Sequence, residues 1–103
     1  MKKESPPVKT LQTIVAIEQP SLLLNRLCKH FRHKVPAEWD EHQGRVEFKP
    51  GLCLLTAEGN RLHILLEAET DSALESLKMI LDIHIQRMAR KEELELTWES
   101  APT

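Results

Sequence analysis

Cys28, His30, His33, Cys53 and His84 have the side chains from which a transition-metal site or a nucleophile would be made. Thiolates and imidazoles suit zinc, iron or copper, and residues three apart on a helix can share one ion. The spacing works against such a site. Neither Cys-x-x-Cys nor His-Glu-x-x-His occurs, and helical periodicity turns Cys28 away from the side that carries His30 and His33. An activated thiol needs a base within hydrogen-bond reach and access to solvent, whereas both cysteines fall on apolar faces. Core cysteines behave as small hydrophobes, which is the favoured reading of both. A Cys28–Cys53 disulfide is geometrically conceivable, but a cytoplasmic compartment argues against it.

A second grouping is cationic. His33 and Lys34 close the first predicted helix, and His84 and Arg87 stand one turn apart near the end of the second. Brought together, these four would form a pocket for a small anion, since Arg and Lys favour carboxylate or phosphate. Cations at a helix end are also stabilised by its exposed carbonyls, so their charge alone does not require a ligand. His84 falls nearest the middle of an apolar helix face, where a histidine has to find a hydrogen-bond partner.

The elements that position these residues follow from hydrophobic periodicity. Leu11 to Ile17 is rich in β-branched residues and reads as a strand, followed by Pro20 and by Ser21 as the expected N-cap. Leu24, Leu27, Cys28 and Phe31 form one apolar stripe, and Val35-Pro36 ends that helix near Lys34. Trp39 to Gly44 reads as a polar loop. Three strands follow, Arg45 to Phe48, Leu52 to Ala57 and Leu62 to Ala68, with turns at Pro50-Gly51 and Glu58-Gly59-Asn60. A capping box, Ser72 with Glu75, opens a second helix running to about Arg90 with an apolar face from Leu74 to Met88. Leu94, Leu96 and Trp98 then alternate with acidic and polar residues as a last strand.

The expected fold is an α+β two-layer sandwich. A mainly antiparallel sheet of four to five strands, in the order β-α-β-β-β-α-β, carries two helices on one face. Residues 1–10 read as a flexible leader and 11–100 as the single domain. Leu52, Leu54 and Leu65 are left on the other sheet face, which suggests a homodimer or partner contact.

Composition narrows the function. The chain is 41% hydrophobic, with 14 basic and 16 acidic residues and a formal charge of -2. No global field gathers nucleic acid or anionic lipid. Locally, Arg26, Lys29, Arg32 and Lys34 could follow a phosphate backbone. Their nearest aromatic, Phe31, is on the buried stripe, so no stacking platform accompanies them. The acidic series Glu92, Glu93, Glu95 and Glu99 offers them an internal or cross-dimer complement. Leu11 to Ile17 is too short and too polar for a secretory signal or a membrane span, which places the protein in the cytoplasm.

Several segments together carry a resemblance. Leu27-Cys28-Lys29-His30-Phe31-Arg32-His33-Lys34-Val35, Gly44-Arg45-Val46-Glu47-Phe48, Gly51-Leu52-Cys53-Leu54-Leu55, and His84 to Leu94 with Trp98 resemble short bacterial proteins grouped as the domain of unknown function 2218 family. The similarity runs from Val15 to Trp98 and departs from the usual pattern at Met88, where an aromatic is expected. The family has no assigned activity. Similar domains fused to siderophore-interacting flavoproteins imply an association with iron acquisition. Two functions are expected from residues and resemblance together. One is a non-catalytic accessory or binding module for an anionic small molecule or a protein partner, with no cofactor. The alternative is a small Cys/His metalloprotein or redox enzyme.

Overall fold

Where every strand alternates in step, one face of a sheet becomes apolar and must be covered. The computed structural model describes residues 8–89 and 96–100 and shows this arrangement. Strand β1 (Lys9–Ala16) is followed by helix α1 (Pro20–Phe31), then β2 (Ala37–Trp39), β3 (Gln43–Glu47), β4 (Gly51–Glu58), β5 (Arg61–Ala68) and helix α2 (Asp71–Met88). The strands form one antiparallel sheet in the order β1-β5-β4-β3-β2.

Inward positions are shared across the sheet. Val15, Leu62 and Ala57 line up across β1, β5 and β4, as do Ile64, Leu55 and Gly44 across β5, β4 and β3. Over them lie Leu24, Leu27 and Cys28 of α1 and Leu77, Leu81 and Ile85 of α2, all fully buried. The two helices cover the same face and touch each other, so the α+β sandwich is as expected. The other face carries Leu52, Leu54 and Leu65 half-buried, together with Ile14, which is 54% exposed.

Local details depart from the sequence reading. Helix α1 starts at Pro20, whose fixed φ and missing N–H suit the first helical position. Ser21 is therefore inside the helix and is not its N-cap; its hydroxyl donates to the Glu41 carbonyl at 2.7 Å. The helix ends at Phe31, before Lys34, and the chain turns through residues 32–35 as the N–H groups of Lys34 and Val35 reach back to the Phe31 carbonyl. The cap of α2 is Thr70, whose hydroxyl accepts the Ala73 N–H at 3.0 Å, so Ser72 with Glu75 makes no capping box.

The segment read as a polar loop, Trp39 to Gly44, takes in the last residue of strand β2, the hairpin and the first two residues of β3, and β2 itself is a departure from that reading. Asp40 makes the reversal: its carboxylate accepts the N–H groups of His42 and Gln43, an Asx turn. The β3–β4 turn is shifted by one residue. Phe48 and Gly51 exchange backbone hydrogen bonds, so Lys49 and Pro50 are central and Gly51 opens β4, where a Cβ would collide with the Glu67 carbonyl. Gly59, with φ 59°, supplies the left-handed residue of the β4–β5 turn.

At the termini, pairing of Lys9 and Thr10 with Ala68 and Glu67 brings the last two leader residues into β1. Residues 1–7 lie outside the described residues, as do Arg90 and Leu94. The expected last strand is present, among the described residues, as a single bridge in which Glu99 and Gln12 exchange backbone hydrogen bonds. No helix among the described residues is long and apolar enough to cross a membrane.

Candidate functional site

The end of α1 meets the last two turns of α2 at the margin of the helical layer. Phe31 anchors the meeting point, 6% exposed, with its ring 5.0 Å from Phe48 and 5.0 Å from His84 in edge-on contacts. His30, one residue earlier, is rotated out of the core and sets its ring 4.8 Å from that of His84. Lys34 and His33 follow in the turn after α1, and Arg87 stands one helical turn beyond His84.

His84 is half-buried at the flank of α2, not at the middle of its apolar face; Leu74, Leu77, Leu81 and Ile85 hold that line. Its Nδ1 donates to the Ile80 carbonyl at 2.7 Å. A carbonyl only accepts, so Nδ1 carries the proton and Nε2 is left as the basic nitrogen. His30 titrates below the ordinary imidazole value. Desolvation of its ring against its neighbours disfavours the charged form, and His84, His33, Lys34 and Arg87 add repulsion. Among the described residues, no carboxylate forms an ion pair with Lys34 or Arg87.

Of the residues read as an anion set, His84 contacts the His30 ring, and His33, Lys34 and Arg87 are near enough to act on its charge. The five-residue metal set is divided. Cys28 and Cys53 are fully buried free thiols, whereas His30 and His33 are exposed. Among the described residues, no three His, Cys, Asp or Glu side chains are grouped to hold a metal ion. Burial pushes the Cys28 thiol up to about 11 and raises Cys53 further, with Cys28 adding to the effect. At neutral pH both are thiols, poor nucleophiles and poor ligands.

Sequence reasoning missed His30 as a member of the cationic group and the aromatic contacts of Phe31 and Phe48 beneath it. The available signal was that Phe31 holds the buried stripe beside His30 at the end of one helix, while His84 flanks the end of the other. Of the basic run on α1, Arg32 lies over the Trp39 ring at 5.7 Å from its centroid. Trp39 itself is held by its indole N–H to Asn25 at 2.8 Å.

The comparisons with known proteins agree with this fold. A family model described as an uncharacterised protein conserved in bacteria matches residues 12–99. Among solved structures the chain is similar to the NMR structure of PA4090 from Pseudomonas aeruginosa, with 29% identity and a TM-score of 0.77 over 92% of this chain and 99% of that one. The search of curated proteins gives no match.

Proposed function

The chain belongs to the bacterial domain of unknown function 2218 family, and from that premise we propose that it is a non-catalytic module binding a small anion where α1 meets α2. The observation that carries this reading is the His30–His84 ring contact at 4.8 Å. Lys34 and Arg87 both act on the charge of His30, and neither forms an ion pair with a carboxylate among the described residues, which supports a shared anion patch. Helix-end carbonyls account for the presence of cations there. Drawing the ends of two helices together concentrates that charge beside the buried Phe31 ring, which packs against His84 and fixes its place.

The test is calorimetric titration with phosphate, citrate and a catecholate, comparing the native protein with Arg87→Ala. Loss of one charge-assisted contact should weaken binding about tenfold. Equal affinities in the two proteins would remove the site. Citrate and catecholate also probe the iron-acquisition role, which is supported only by resemblance to domains fused to siderophore-interacting flavoproteins.

A protein partner is the second reading, favoured by the helix-free sheet face on which Ile14 is 54% exposed. Sedimentation equilibrium across a concentration series tests self-association, and a mass that stays monomeric throughout eliminates a second copy as that partner.

A further inference from the structure

We propose that this site takes anions carrying two or more negative charges and gains a proton as it binds them, the proton going to the His30–His84 pair. The inference rests on the anion-binding reading above and adds to it a ligand class and a pH response.

The charge requirement comes from what the cations already face. Lys34 follows the carbonyl end of α1 and Arg87 lies in the last turn of α2, so each is partly balanced by a helix terminus. A single negative charge competes with those termini for one cation and gains little. An anion with two charges can engage both side chains at once.

The proton requirement comes from the imidazoles. In the free protein a proton on His30 is disfavoured by desolvation and by four neighbours, His84 and Arg87 from α2 and His33 and Lys34 from the chain leaving α1. Phe48, reaching the same cluster from the β3–β4 turn, brings no charge, and no carboxylate of a described residue acts on His30. His84 has its Nδ1 proton committed to Ile80, so Nε2 is the one position on that ring at which a proton can be gained. A polyvalent anion seated against Lys34 and Arg87 cancels the repulsion that opposes a proton on His30. By linkage, an anion that raises an imidazole pKa is itself bound more tightly when that imidazole is protonated.

Sulfate and acetate are the probes, because neither titrates in the histidine range. Calorimetry at constant ionic strength, in two buffers of different ionisation enthalpy, reads affinity and proton uptake together. Sulfate should bind about tenfold more tightly near pH 6 than near pH 8, with net uptake of up to one proton, and acetate about tenfold more weakly than sulfate. His30→Gln and His84→Gln should each flatten the pH response, read as the ratio of affinities near pH 6 and near pH 8 within each variant. Sulfate binding that is equally tight at both pH values, without buffer-dependent heat, overturns the proton linkage and leaves the anion site standing. Acetate binding as tightly as sulfate overturns the charge requirement. Neither ion nor any of phosphate, citrate and catecholate binding at either pH overturns the site itself.

Discussion

A methyl group added to Gly44 would lie 2.8 Å from Sγ of Cys28 and 3.4 Å from a methyl of Leu55. Gly44 is an inward position of β3, paired with Trp39 on one side and Leu55 on the other, and the Cys28 thiol fills the space its missing side chain leaves. The thiol is thereby a packing element between α1 and the sheet. This contact explains why a residue with the chemistry of a nucleophile sits where solvent does not reach it.

Gly44→Ala should therefore destabilise the domain by about 1–3 kcal/mol, since forcing a methyl into a filled site displaces backbone or side chains. Urea unfolding would read it as a lower midpoint with an unchanged slope. Cys28→Ala removes the obstructing sulfur, so the double variant should lose less than the two single losses added together. Strict additivity would show that the sulfur is not what the new methyl meets.

The same residue marks the limit of what the chain discloses before it is folded. Leu62 to Ala68 was legible because its inner face recurs at every second residue, and the α1 stripe because its period is helical. Leu52 to Ala57, whose periodicity is ambiguous, was legible because turns bound it and Cys53, Leu55 and Ala57 suit a face under a helix. Ala37–Trp39 has no such pattern. It is a three-residue edge strand defined by pairing with β3 and by the Trp39 indole on Asn25, both long-range facts. The cationic residues of the site were legible one helix at a time. That His30 and His84 meet depends on how α1 and α2 lie against each other on the sheet, which periodicity within either helix does not determine.

Residues 96–100 are tied down through Trp98, whose indole N–H donates to the Asp82 carboxylate at 2.9 Å, and through the Thr13 hydroxyl, which donates to the Thr97 carbonyl at 2.8 Å. Trp98→Phe keeps most of the apolar contact and removes the hydrogen bond to a charged acceptor, so it should cost about 1–2 kcal/mol in urea unfolding. Asp82→Asn retains an acceptor and should cost less. A larger loss from Asp82→Asn than from Trp98→Phe would mean that the carboxylate stabilises the fold mainly through some other contact.

Both thiols should be inert in the native state. With Cys28 and Cys53 fully buried and their pKa values raised by desolvation, Ellman's reagent at neutral pH should release no rapid thiol signal. In denaturant both should react within the mixing time of a manual assay. A single fast equivalent from native protein would place one cysteine within reach of solvent and reopen thiol chemistry for this domain.

Stability should fall as the solution is acidified through the histidine range, with His30 as one identifiable cause. Its folded pKa lies below the unfolded value of about 6.5, because burial and then His84, His33, Lys34 and Arg87 disfavour the imidazolium. The unfolded chain consequently binds more protons in the window between the two values. The native state holds its full advantage above the unfolded pKa and loses it as the pH falls toward the folded one. His30→Gln cannot take up that proton, so the stability of the native protein relative to this variant should decline from about pH 8 to pH 5.5. Asp40 acts with the same sign but in a lower window: the backbone N–H groups of His42 and Gln43 hold its carboxylate below the usual range, so its contribution is lost only at more acid pH and does not obscure the comparison. Urea midpoints across the series give the stability difference, and the ring proton shifts of His30 in one-dimensional NMR give the titration directly. His84→Gln, by removing the nearest protonatable neighbour, should move the His30 titration upward toward the unfolded value. An unchanged His30 titration in that variant would mean that the 4.8 Å ring contact carries no electrostatic coupling in solution.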